Sequence, residues 1–200
     1  MNERDCQQDV KTAQHEIVDG EHRMPPQAVR ASNADPTCRF PARVTSCYQQ
    51  FRVPPPTLSP LDDRVAVAGQ IRPADLDDLA RQGFRAVVNN RPDGEAMFGQ
   101  PSTAELRRAA EAAGLVFLDL PFSGPNATPD QVRAFRHLMA TTEGPVLVYC
   151  KSGMRSAFLW GTALLAAGAP LDQVLSAALN AGQNLEPLAG VMTSLAEASR

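Results

Sequence analysis

The sequence has little of what several large classes of protein require. Only 6% of its 200 residues are aromatic, with a single tryptophan, and the formal charge is −3, so it carries no basic footprint for nucleic acid or for an anionic membrane. No apolar run approaches the roughly 20 residues that span a bilayer, and the polar opening MNERDCQQDVKTAQHE lacks the apolar segment of a secretory signal. Neither nucleic acid nor membrane is expected as a partner, and the expected location is cytoplasmic. The four cysteines, at positions 6, 38, 47 and 150, form no CxxC pair and have no histidine at zinc-site spacing, which disfavours both a structural metal and a disulfide framework. A Walker-type loop and a Ser/His/Asp set are also missing. No metal and no cofactor are expected.

What is present divides at about residue 60. Residues 1–59 mix Gln, Asp, Arg, Asn and Pro without a sustained period and end in RVPPPTLSP, the composition of a disordered or loosely ordered tail in which Cys6, Cys38 and Cys47 are incidental thiols. Residues 60–200 alternate strand and helix signals, the rhythm of an α/β domain. Strands are expected at 64–68 (RVAVA), 84–89 (FRAVVN), 115–120 and 145–149 (PVLVY). The last is apolar throughout and suits a central strand covered on both faces. Helices are expected over 73–82, from Ser102 or Thr103 to Ala113, from the N-cap Thr128 with Pro129 and Gln131, over 155–167, 171–181 and 185–198. His137 should face solvent.

Cys150 follows the apolar strand directly, and Cys150, Lys151, Ser152, Gly153, Met154 and Arg155 join it to a strongly apolar helix. Backbone N–H groups in such a strand-to-helix loop can curl round one point and bind an anion. Gly153 permits the left-handed backbone of a tight curl, and Arg155 offers a guanidinium able to grip an oxyanion in bidentate fashion. A thiol at a helix N-terminus beside cations ionises well below its ordinary value, so Cys150 is the candidate nucleophile.

The segment VYCKSGMRSAFLW resembles the active-site loop shared by rhodanese-type sulfurtransferases and, with one extra residue, cysteine-dependent phosphatases. Together with VAVAGQIRPADLDDLARQGFRAVVNNRPDGE, GQPS, AAGLVFLDLPFSG and GPVLVYCKSGMRS, it looks like the phosphatase-like domain of the beta-lactamase-hydrolase-like proteins, over about residues 61–168. The resemblance implies a three-layer α/β/α cysteine-phosphatase-like fold with a small, mainly parallel sheet, and an enzyme in which Cys150 and Arg155 are catalytic. It further implies that Lys151, Ser152, Gly153 and Met154 supply loop N–H groups, that Ser156 adds a hydroxyl, and that Arg91 and Asp93 of the NNRPDGE stretch are candidates for the pocket wall. A plain turn at Pro92–Gly94, with Arg91 paired to a carboxylate, is the competing reading of those two. Partners implied are a small-molecule thiol, persulfide or other sulfur donor or acceptor, and a persulfide-oxidising metallo-hydrolase.

Three functions fit these residues. Sulfur transfer through a Cys150 persulfide is preferred, because four residues separate Cys150 from Arg155 where the phosphatase signature has five, and because the segment PFSGPNATP after Leu120 contains no carboxylate to serve as general acid. A protein-tyrosine or dual-specificity-like phosphatase using a phosphocysteine intermediate is the alternative, with Asp93 or Asp119 as substitute acids. A non-catalytic anion-binding module is the third.

Overall fold

Two four-residue strands without an exposed side chain organise the molecule. In a computed structural model, which describes residues 54–200, the chain divides at Arg52/Val53 into two units, and the described residues belong to the second. Cys6, Cys38, Cys47 and the tail expectation for residues 1–53 lie outside the described residues.

The strands are β1 (Leu58–Pro60), β2 (Val65–Ala68), β3 (Ala86–Asn89), β4 (Val116–Asp119) and β5 (Val146–Tyr149). The helices are α1 (Leu76–Arg81), α2 (Thr103–Ala112), α3 (Pro129–Thr141), α4 (Met154–Ala166), α5 (Leu171–Asn180) and α6 (Ala189–Ala198). Short 3-10 turns at Pro73–Asp75 and Glu186–Leu188 lead into α1 and α6, where the sequence suggests uninterrupted helix. Each proline there suits the first turn of a helix and not its interior.

The sheet order is β1-β2-β5-β3-β4, with β1 antiparallel to β2 and every other pairing parallel. Residues 54–59, assigned from sequence to the tail, belong to this unit, and β1 is the element sequence reading missed. Three residues containing Ser59 and Pro60 have no apolar alternation to reveal them, and Pro60 is tolerated because β1 is an edge.

Period-two alternation divides the core. Val87, Leu147 and Tyr149 point to the face covered by α1 and α2, while Val88, Val146 and Val148 point to the face covered by α3 and α4, with α5 and α6 packed outside. The result is the three-layer α/β/α arrangement around a mainly parallel sheet. α2 and α3 begin with capping boxes, Ser102 with Glu105 and Thr128 with Gln131. His137 is exposed.

This order also fixes where a site can form. The chain passes from β2 to β3 and on to β4 through α1 and α2, then returns through α3 to place β5 between β2 and β3. The direction reverses between β3 and β5, and a crevice opens outside their carboxyl ends at such a switch point.

At the opposite end of the sheet Asp62 joins strand to helix. Its Oδ1 accepts from the N–H groups of Arg64 and Val65, both at 2.7 Å, and its Oδ2 accepts from Nε1 of the buried Trp160 at 2.7 Å. Asp62→Ala is expected to cost about 1–3 kcal/mol through these orphaned donors, and Asp63→Ala less than about 0.5 kcal/mol. Urea unfolding followed by Trp160 fluorescence measures both, with an unchanged m-value expected.

Candidate active site

The loop after β5 is shaped by a helix that no side chain caps. α4 starts at Met154 with Gly153 as its N-cap, at φ +100°, and no side-chain oxygen accepts its first N–H groups. The sulfur of Cys150 takes that place. Gly153 donates its N–H to Cys150 Sγ at 3.1 Å, and the N–H groups of Ser152, Arg155 and Ser156 also act on the sulfur. These are donors that a helix N-terminus leaves unsatisfied, at the positive end of its dipole. Burial pushes the thiol up, for Cys150 is only 1% exposed, but the four N–H groups outweigh it and hold the thiol below its ordinary value.

Close packing leaves Gly153 little choice of residue. A Cβ there would sit 3.0 Å from Gln183 Nε2 and 3.1 Å from Val67 Cγ2, in addition to the strain of the positive φ. Gly69, just after β2, is similarly tight, since a Cβ there would lie 3.2 Å from the Lys151 carbonyl. Lys151 and Ser152 are exposed, Met154 packs against the core, and Ser156 is fully buried with no hydrogen-bond partner for its Oγ among the described residues.

Arg155 is aimed by two acceptors. Its Nη1 lies 2.8 Å from Glu95 Oε1 and donates to the Phe122 carbonyl at 2.9 Å, while Nη2 donates to Glu95 Oε2 at 2.9 Å. The guanidinium plane is therefore fixed on one edge, and the opposite edge, Nε with the second N–H of Nη2, has no protein partner among the described residues. A guanidinium edge of this kind has the geometry to grip an oxyanion in bidentate fashion.

Glu95 also accepts from Arg91 Nε at 2.8 Å, and Arg91 donates onward from Nη1 to Gln70 Oε1 at 2.7 Å. The Arg155 hydrogen bond, helped by Arg91, holds the Glu95 carboxyl below the usual carboxylate range. Arg91 and Arg155 are thus brought into one cluster through a carboxylate, in keeping with the paired reading of Arg91.

Asp93 is placed elsewhere. Its Oδ1 accepts from Thr103 N and Thr103 Oγ1, each at 2.8 Å, so it caps the start of α2 and does not join the Arg91–Glu95–Arg155 cluster. It lines a separate depression with Pro92, Arg107, Arg108 and Asp119. Asp119 accepts from Asn89 Nδ2 at 2.8 Å. Among the described residues, no group of three or more His, Cys, Asp or Glu could hold a metal ion, and no helix is long and apolar enough to cross a membrane.

Sequence reasoning did not assign Glu95, Gln70, Gln183 or the Phe122 carbonyl to the site. Glu95 stands in the quoted NNRPDGE stretch, and its spacing from Arg91 is the one available signal. In a loop, that spacing carries no face. A main-chain carbonyl has no sequence signature at all.

The sulfur-capped helix predicts two measurable effects. Alkylation of Cys150 should reach half-rate at a pH below the roughly 8.5 of a free thiol, and Gly153→Ala should raise that midpoint. Because the folded value is depressed, the linked stability is fully present above the unfolded thiol's value and is lost as pH falls through the folded one. Cys150→Ser should remove that part of the pH dependence of urea unfolding, and an unchanged profile would count against the capping role.

Residues 57–169 match the family described as beta-lactamase hydrolase-like protein, phosphatase-like domain. A beta-lactamase hydrolase-like protein of Agrobacterium fabrum is 43% identical over 100 residues, which make up 50% of this chain and 23% of that relative. One from Xylella fastidiosa is 40% identical with the same coverage. The chain spans about a quarter of the length of these curated relatives. Among solved structures, a candidate phosphatase from Neisseria meningitidis is 33% identical and superposes with a TM-score of 0.61, over 68% of this chain and 96% of that one. The core catalytic domain of a PP-IP phosphatase from S. cerevisiae, 14% identical with a TM-score of 0.53 over 72% of this chain and 86% of that one, shares the fold. With this sheet order, a cysteine at its switch point and these matches, the chain belongs to the family of the phosphatase-like domain of beta-lactamase hydrolase-like proteins.

Proposed function

We propose that this domain is a cysteine-dependent phosphohydrolase. The observation that carries the reading is the juxtaposition of a sulfur capping α4 with a guanidinium held so that its Nε/Nη2 edge is unpartnered. Membership of a phosphatase-like family and the likeness to the Neisseria meningitidis structure support phosphorus as the centre attacked.

On this reading the Cys150 thiolate attacks phosphorus, the bond to the leaving group breaks, and a phosphocysteine forms. Arg155 holds two of the phosphoryl oxygens on its unpartnered edge, and loop N–H groups offset the remaining charge. Water then attacks phosphorus, and the P–S bond breaks with its electrons returning to a sulfur already surrounded by donors. Ser156 Oγ, buried and without a hydrogen-bond partner among the described residues, is available to add to that set.

Sulfur transfer, preferred from sequence alone, takes second place. Its support is the loop itself, which has four residues between Cys150 and Arg155 and directs its N–H groups at the sulfur. Here the thiolate would attack a sulfane sulfur, the S–S bond would break, a donor thiolate would leave, and the Cys150 persulfide would pass its outer sulfur to an acceptor thiol. A persulfide-oxidising metallo-hydrolase as partner belongs to this second reading. A merely anion-binding module has no use for a depressed thiol and ranks last.

Phosphate release from 4-nitrophenyl phosphate, set against thiosulfate or glutathione-persulfide turnover, separates the two in wild type and Cys150→Ser. Phosphate release that vanishes in Cys150→Ser and exceeds sulfur transfer is expected. Detection of a Cys150 persulfide with sulfur turnover and no phosphate release would reverse the order.

A further inference from the structure

Each carboxylate on the loops that flank Cys150 is already committed to another task. After β2, Asp75 is tied to Arg72, accepting from its backbone N–H at 2.7 Å and from Nη2 at 2.6 Å. After β3, Asp93 caps α2 through Thr103, and Glu95 is shared between Arg155 and Arg91. At the end of β4, Asp119 is held by Asn89 Nδ2 on the face toward α2.

The loop from β4 to α3 is pinned as well as free of carboxylates. Residues 120–128 read LPFSGPNAT. Three consecutive carbonyls in it are held by side chains from three other places: Leu120 by Asn90 Nδ2 at 3.0 Å, Pro121 by Gln131 Nε2 at 2.8 Å, and Phe122 by Arg155 at 2.9 Å. The Phe122 ring also packs at a 53° tilt on Phe158, with centroids 6.3 Å apart. A segment fastened at three successive residues does not swing a distant group over the sulfur without breaking those bonds.

Among the described residues, therefore, no carboxylic acid on these loops is placed to hand a proton to a leaving group at this site. Resting on the phosphohydrolase reading above, we infer that the substrate class is phosphoryl compounds whose leaving group is stable as an anion, namely aryl phosphates of acidic phenols, acyl phosphates and phosphoanhydrides, and that alkyl phosphomonoesters are excluded. In the first step the Sγ–P bond forms, the P–O bond to the leaving group breaks, and its electron pair stays on the departing oxygen. In the second step water attacks phosphorus, the sulfur leaves as thiolate, and the surplus proton goes to solvent. The low pKa of Glu95 agrees with this assignment, since a carboxyl held ionised by two guanidiniums donates no proton at neutral pH.

The full 200-residue chain is assayed with 2,4-dinitrophenyl, 4-nitrophenyl and phenyl phosphate, with acetyl phosphate, and with phosphoserine as the alkyl ester, each alongside Cys150→Ser. From 2,4-dinitrophenyl to phenyl phosphate, kcat/KM is expected to fall by at least roughly the 10²–10⁴-fold that a positioned acid supplies elsewhere. Acetyl phosphate should be turned over, phosphoserine should not, and kcat/KM for the good substrates should level off at alkaline pH without a descending limb. Rates nearly independent of the leaving group, with a descending alkaline limb, would overturn this inference and leave the phosphohydrolase reading standing. Absence of Cys150-dependent phosphate release even from 2,4-dinitrophenyl and acetyl phosphate would overturn both.

Discussion

A buried sulfur standing in for a helix cap is the constraint on which the rest of the site depends. α4 is strongly apolar and enters the core with Gly153, which has no side-chain acceptor, as its N-cap, so its first N–H groups require another acceptor. Cys150, at the end of the fully buried β5, is that acceptor. Several otherwise unrelated features follow from it. Gly153 adopts a positive φ to turn the chain round the sulfur, Gly69 lets β2 approach the Lys151 carbonyl, and Gln183 closes over the loop with Nε2 3.5 Å from the Ser152 carbonyl. A thiolate satisfies these N–H groups better than a thiol does, so the fold itself favours the reactive form.

The arginines present the opposite problem, because Arg91 is 5% exposed and a buried cation is costly unless paired. Glu95 resolves it with a chain of contacts running Gln70–Arg91–Glu95–Arg155–Phe122. Gln70, Arg91, Glu95 and Phe122 come from the segments after β2, β3, β3 and β4, and Arg155 from the first turn of the helix after β5, so the chain ties together the carboxyl ends of all four parallel strands. Two guanidiniums share one carboxylate, so this cluster carries a surplus positive charge at the carboxyl end of the sheet. That balance agrees with a sequence whose overall charge is slightly negative.

How much of this could be read in the amino-acid string depended on whether a signal was local. The strands β2 to β5 and the helices α2 to α5 are short-range patterns: apolar pairs, Ser102 and Thr128 caps, glycines at helix ends. They were legible to within one or two residues. Cys150, Gly153 and Arg155 lie within a stretch of six residues, so their loop was legible too. What was not legible depends on the sheet order. Glu95 lies 60 residues from Arg155, and Phe122 lies 33 residues from it. Asp93 and Glu95 are two residues apart in one turn, yet one caps a helix and the other clamps two arginines. Nothing in a loop's composition distinguishes them until α2 and α4 are in position.

The short loop and the phosphatase-like fold point to different chemistries only if the two are taken to need different machinery. Both begin with the same thiolate, the same anion-gripping arginine and attack on an electrophilic third-row atom. They differ in the number of oxygens to be seated and in the fate of the leaving group. A departing thiolate needs no proton at neutral pH, and neither does a carboxylate, a phosphate or an acidic phenoxide. A pinned β4–α3 loop without a carboxylate is compatible with all of these and unfavourable for an alkoxide. The feature that weakens the case for a general phosphomonoesterase is therefore the same one that sulfur transfer does not require. Loop length then becomes the finer discriminator: removing one residue between cysteine and arginine narrows the ring of N–H donors. On the proposed phosphohydrolase reading, the oxygens that a shorter loop leaves unseated fall to the Nε/Nη2 edge of Arg155, which has no protein partner among the described residues.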